Sequence, residues 1–243
     1  MRLVMVILST VALLSLIAWP IAAQQTEKSP DQELPPHIAR LTFFGERADW
    51  SHDGKTHVSA QYPDRLPAGV SQMYEADIVY EAGKPRLGTP RLILDSRDLP
   101  FRCTMETQNF RPPDEQELTF TAYGYQGTEV CGVELNTKKV TNYSQAPDQY
   151  DEVEGIFPNG QYTCVECDRQ NHKGSGHIDL WKLRLDGSGK TERLTYFSDY
   201  PGYKASNPVV SDDGRFMAFQ MARSREEAGV GHGIFLYDFR KVR

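Results

Sequence analysis

The stretch Glu154-Gly155-Ile156-Phe157-Pro158-Asn159-Gly160-Gln161-Tyr162-Thr163-Cys164-Val165-Glu166-Cys167 leads through a polar loop into Ile178-Asp179-Leu180-Trp181-Lys182-Leu183-Arg184-Leu185. An Asn-Gly pair reaches φ > 0 with little strain, so Asn159-Gly160 predicts a tight hairpin between two short strands. From Leu180 onward the period-two alternation suits a half-buried strand. Asp186-Gly187 then turns the chain, and Glu192-Arg193-Leu194-Thr195 reads as a short outer strand. The stretch is a four-stranded unit in series.

The unit recurs at intervals of roughly 40 to 60 residues, the spacing of propeller blades, each a sheet that cannot bury its faces alone. Turn signals stand at Asp53-Gly54, Pro113-Asp114 and Asp213-Gly214 as well as Asn159-Gly160. Strands are predicted after them at 56–60, 118–122, 162–167 and 216–221, and third strands at 76–80, 130–135, 178–185 and 234–239. The expected fold is all-β, a small β-propeller of about four four-stranded blades.

On these residues the chain resembles the TolB-type β-propeller repeat family, whose units read as an apolar pair, Ser-Pro-Asp-Gly, a strand, a strand ending in Asp-Gly, and Leu-Thr. The matching residues are Trp50-Ser51-His52-Asp53-Gly54-Lys55, Val210-Ser211-Asp212-Asp213-Gly214-Arg215, Leu185-Asp186-Gly187 with Arg193-Leu194-Thr195, and Arg40-Leu41-Thr42. The resemblance covers nearly everything after Pro36. It implies a propeller and several classes of function: periplasmic scaffolds, propellers attached to peptidases, and polysaccharide lyases that hold a metal in the channel. Such members usually have six or more blades. The first unit here is long, and 61–72 carries Pro63, Pro67 and Gly69, which implies an irregular blade or blades lost near Ala60. Ile38-Ala39-Arg40-Leu41-Thr42 reads as an outermost strand with no inner strands before it, so it is expected to complete the last blade and remove an exposed sheet edge.

Residues 1–23 read as a signal peptide: Arg2 is followed by an apolar run over 3–18, and Ile21-Ala22-Ala23 offers small residues for cleavage. Residues 24–36, polar and rich in Gln, Glu, Ser and Pro, read as a disordered tether before a propeller domain over 37–243. The body is expected to be exported, periplasmic or extracellular, with membrane contact only if the leading segment stays uncleaved. The formal net charge of -6, from 27 basic and 33 acidic residues, argues against nucleic acid, which needs a clustered positive surface.

Export permits disulfides among Cys103, Cys131, Cys164 and Cys167, in any of three pairings. On a strand, Cys164 and Cys167 point to opposite faces, so the C-x-x-C spacing predicts buried structural thiols, with one disulfide at most, and not a metal site. Gly187-Ser188-Gly189-Lys190-Thr191 lacks the leading glycine of a phosphate loop, Arg184 standing there, and reads as a hairpin turn. His177 and His232 each precede the third strand of consecutive blades and are the only metal candidates; local hydrogen bonding accounts for both. No Gly-x-Ser-x-Gly elbow occurs, and no cofactor motif is present.

Loops leading into the innermost strands of a propeller meet at one mouth of its channel. The candidate ligand residues there are Arg47, Asp49, Gln108, Asn109, Glu152, Glu154 and Asn207. Tyr196, Phe197, Tyr200 and Tyr203 form an aromatic loop suited either to stacking on sugar or peptide or to packing between blades. The expected function is a non-catalytic binding or scaffold module that engages a protein or peptide, with saccharide as a further class of ligand, through the channel mouth or blade edges. The alternative that the resemblance implies is a lyase-like or peptidase-associated propeller.

Overall fold

The computed structural model describes residues 33–42, 46–51, 56–61, 67, 69–124, 127–226 and 232–241. The chain divides into a unit over 1–38 and a unit over 39–243. The predicted signal peptide lies outside the described residues, as does most of the tether. Among the described residues no helix is long and apolar enough to cross a membrane.

Among the described residues, unit 39–243 forms four antiparallel sheets, the blades of a small β-propeller. Blade 1 comprises β1 (Glu46–Trp50), β2 (Thr56–Gln61), β3 (Gln72–Glu81), β4 (Lys84–Leu87) and β5 (Arg91–Asp95). Blade 2 is β6 (Thr104–Phe110), β7 (Glu117–Tyr123), β8 (Thr128–Glu134) and β9 (Val140–Asn142). Blade 3 is β10 (Asp151–Ile156), β11 (Tyr162–Cys167), β12 (Asp179–Arg184) and β13 (Thr191–Arg193). Blade 4 is β14 (Tyr203–Val210), β15 (Phe216–Arg223) and β16 (Ile234–Asp238). The innermost strands stand side by side in chain order, β1 by β6, β6 by β10 and β10 by β14.

The turn dipeptides work as their chemistry requires. Gly160 has φ 65° and Gly214 φ 67°, conformations open to glycine and strained for residues with a Cβ. The long first unit forms one irregular blade of five strands. The leading part of β3 pairs with β5 (Tyr74 with Leu92), and its trailing part pairs with β4 (Ile78 with Leu87), so two pieces share the outer position.

Each innermost strand carries a bulge, between Glu46 and Asp49, Thr107 and Asn109, Val153 and Ile156, and Ser206 and Val209. A bulge bends the strand and frees local backbone groups from the ladder. On the side away from the ladder, innermost-strand amides would be orphaned in the interior, and buried donors need partners. The preceding blade supplies them: Met105 N donates to Ser71 Oγ at 2.6 Å, Phe110 N to Asp49 Oδ2 at 3.1 Å, Val153 N to Thr121 Oγ1 at 3.0 Å, and Asn207 N to Glu166 Oε1 at 2.5 Å.

Three apolar cores lie between successive blades. Met73 and Leu94 pack with Met105, Leu118 and Phe120; Val130 and Tyr143 with Val153, Val165 and Leu183; and Cys164 and Leu180 with Ala205, Met217 and Phe219. Each fully buried side chain of this size contributes about 1.5–3 kcal/mol relative to exposure.

One expectation is corrected. Residues 38–42 carry no strand, so among the described residues the last sheet has three strands and this segment does not complete it; the Ile38 amide is taken up locally by Pro35 O at 2.9 Å. All four cysteines are free and buried, with no disulfide. Cys164 and Cys167 point to opposite faces of their sheet, into different cores, as the strand period requires. Burial pushes the Cys103 thiol up to about 12.

Candidate functional site: the N-terminal mouth

The innermost strands begin at one mouth and end in hairpins at the other. At the N-terminal mouth, between blades 3 and 4, lies a cleft of about 470 Å³ lined by Tyr150, Glu152, Glu154, Lys204, Asn207 and Arg225, among others. Tyr150, Glu152 and Glu154 recur at every second residue as β10 begins, which sends their side chains to one side of the strand. Two loops close the far wall, and they touch so closely that a Cβ on Gly176 would stand 2.7 Å from Ser224 O.

The acidic groups of the mouth are fixed by hydrogen bonds. Glu152 Oε1 accepts from Tyr123 Oη at 2.5 Å, and its second oxygen accepts from Tyr150 Oη. Burial first, and then the Glu152 charge, push both phenols far above their ordinary range, so they are neutral donors. Glu166 is held by the Asn207 amide, and Asn207 stands at φ 52° in the bulge of β14, a left-handed conformation that asparagine tolerates well. Its side-chain amide donates to Gln220 Oε1 at 3.3 Å. Glu154 and Glu226 add negative charge to the cleft, and Lys204 and Arg225 add positive charge. The cleft thus offers both signs of charge, together with fixed amide and phenol groups.

The structure separates the residues that sequence reasoning grouped at one mouth. Glu152, Glu154 and Asn207 share the cleft. Asp49 is spent holding the Phe110 amide. Asn109 faces the opposite, hairpin mouth, in a groove of about 460 Å³ walled by Pro112, Pro113, Pro158 and Val209. Gln108 sits in the bulge of β6 and lines neither concavity. The side chain of Arg47 lies outside the described residues.

The aromatic loop divides as well. Phe197 packs on Phe219 and Phe235, with ring centroids 5.5 and 5.4 Å apart, and Tyr203 meets the His232 ring edge-on. Tyr196 and Tyr200 are exposed, Tyr196 beneath the Arg193 guanidinium. His232 stands 3.6 Å from Glu226, and the His177 backbone carbonyl accepts from Gln170 and Asn171. Among the described residues no group of three or more His, Cys, Asp or Glu side chains is arranged to hold a metal ion.

Sequence reasoning missed Tyr150, Lys204, Arg225 and Glu226. The period-two spacing of Tyr150 with Glu152 was a usable signal for the first. The others reach the cleft through the packing of blade 4 on blade 3.

No family model matches the chain, and no curated protein matches it. Solved structures do. A TolB from Agrobacterium tumefaciens is 19% identical with a TM-score of 0.59, over 82% of this chain and 64% of that one. TolB from Acinetobacter baumannii is 18% identical with a TM-score of 0.56, over 81% and 41%. A puromycin hydrolase is 14% identical with a TM-score of 0.53, over 79% and 26%. At these identities the likeness is one of fold, a TolB-like propeller. The chain spans less than two thirds of the length of each of these three structures.

Proposed function

We propose that this chain is an exported binding propeller that takes an extended peptide segment of a partner protein at its N-terminal mouth. The observation that carries this reading is the cleft between blades 3 and 4, where Glu154 and Glu226 face a shared space with Lys204 and Arg225. A peptide main chain presents alternating donors and acceptors and brings side chains of either charge. A cleft with both signs and fixed polar groups matches that chemistry better than a single-sign pocket would. The carboxylates nearest the channel support binding over proton transfer: both Glu152 oxygens are occupied by phenols and Glu166 by a backbone amide. Export rests on the leading segment of the sequence, and the TolB-like fold is compatible with it.

A displayed library of random linear peptides, selected on the purified chain, tests the reading. Selected peptides are expected to lose at least about tenfold in affinity by calorimetry on a Glu154→Ala, Lys204→Ala double variant. Selection that yields no binders above background, or binders indifferent to the double variant, would overturn the assignment.

A further inference from the structure

Blades 2 and 3 each pack one face on the blade before and the other on the blade after. In blade 3 the face toward blade 4 contains Leu180, which is 0% exposed. The hairpin turns align blade 3 with blade 4, Phe157 N donating to Tyr162 O and Ser211 N to Phe216 O. In that alignment the register pairs Glu166 with Leu180 and Gln220 with Ile234, so Ile234 holds in blade 4 the place of Leu180 in blade 3. Yet Ile234 is 69% exposed.

The register places Leu236 and Val209 on the same face, both paired with Ala218, and each is 66% exposed. The opposite face of blade 4, with Met217 and Phe219, is the one packed on blade 3. Blade 4 therefore presents, uncovered among the described residues, the face that blades 1, 2 and 3 each cover with the blade that follows.

Blade 1 is the complementary case. Its Met73 and Leu94 pack on blade 2. Its other face, marked by the register pairs of Trp50 with His57, His57 with Ala76, and Tyr74 with Leu92, exposes Trp50, Leu92 and, further along β3, Tyr80. Among the described residues, this face is packed on no other blade, whereas the corresponding faces of blades 2, 3 and 4 are each packed on the blade before. Both faces are sheet faces with large exposed apolar groups, and their exposure shows that they do not cover each other within one chain.

We propose that two copies of this chain associate head to tail, the blade 4 face of each packing on the blade 1 face of the other. The contact continues the blade-on-blade interface that the chain already makes three times. With both faces used twice about one two-fold axis, the contact closes instead of running on as a fibre. The product is a ring of twice the blade number, within the range that propellers adopt.

The test is the solution mass of the purified chain by light scattering on a sizing column, beside an Ile234→Asp, Leu236→Asp variant and a Trp50→Gln, Leu92→Glu variant. The wild-type chain is expected to run at twice the monomer mass. Each variant alone loses at least one face of both interfaces and is expected to run at half the wild-type mass. Their mixture keeps one intact interface and is expected to return to the doubled mass. A wild-type monomer at micromolar concentration overturns the proposal. So does a dimer that survives the blade 4 variant, and one that survives only the blade 1 variant would assign a face-to-face contact of blade 4 with itself. Circular-dichroism melts establish that each variant folds; if the Trp50 double variant does not, Leu92→Glu alone replaces it.

Discussion

The guanidinium of Arg111, at the end of β6, donates to the carbonyl oxygen of Leu185 at 2.8 Å, so the hairpin end of blade 2 is held by the third strand of blade 3. The same side chain donates to Gly160 O at 2.7 Å and Tyr143 Oη at 2.8 Å and forms an ion pair with Glu117 at 3.1 Å. Replacing it by alanine leaves two carbonyls without this donor and the part-buried Glu117 carboxylate with the Tyr143 hydroxyl but without its cation. We expect Arg111→Ala to cost about 2–4 kcal/mol in urea unfolding, and Arg111→Lys to recover little, because one ammonium cannot span the fork of acceptors.

Gly160 touches the same region from the other side. A Cβ there would stand 1.8 Å from Pro112 O, at φ 65°. Gly202 has φ 85° but nothing within 4 Å of its Cβ position. Gly202→Ala should therefore cost only backbone strain, about 1 kcal/mol. Gly160→Ala must also move backbone, and its unfolding midpoint should fall several times further. Equal losses in the two variants would refute the close approach.

Asp151 is fully buried against Arg169, at 2.9 Å, and burial pushes its carboxyl up to about 6 from 3.8 despite that partner. The folded state thus holds this proton more tightly than the unfolded state. The contribution to stability is complete below about pH 4 and is lost as pH rises through about 6, to the extent of roughly 2–3 kcal/mol. Asp238, held down to about 2 by Arg240, works in the opposite sense and loses its contribution as pH falls below 3.8. Asp151→Asn should flatten the fall in urea midpoint between pH 4 and 6 while leaving the acid limb in place. A slope unchanged in the variant would show that another group titrates there.

Glu152 pushes the ionisation of Tyr123 and Tyr150 to higher pH, after burial has done most of the work. Glu152→Gln removes the charge and keeps one acceptor. Ultraviolet titration of the phenols should move toward lower pH without reaching ordinary tyrosine behaviour, with about 1 kcal/mol lost in stability. A titration curve identical to the wild type would contradict the double hydrogen bond.

Much of the blade order was legible because hairpins are chemically local. Asn159-Gly160, Asp186-Gly187 and Asp213-Gly214 each put a glycine at positive φ where the chain turns. The outer position of blade 1 was not legible, since Lys84–Leu87 and Arg91–Asp95 share it only by pairing with different parts of β3. The strand expected at 38–42 was misread for a related reason: a short Leu-Thr motif specifies an edge strand only if another strand recruits it. Glu152, Glu154 and Asn207 all lie on innermost strands, and the structure brings them to one cleft. Asn109 lies at the hairpin mouth because it is the penultimate residue of β6, next to the turn, and not at the strand's entry.

The four sealed thiols give the molecule an internal set of clocks. Cys103 and Cys131 lie in the core of blades 1 and 2, Cys167 in the next core, and Cys164 against Met217 Sδ of blade 4, at 3.4 Å. A thiol reagent can reach each only when the blades around it part. Single-cysteine chains, labelled in native buffer, would therefore time the opening of each blade junction separately and rank the junctions by the frequency with which they part.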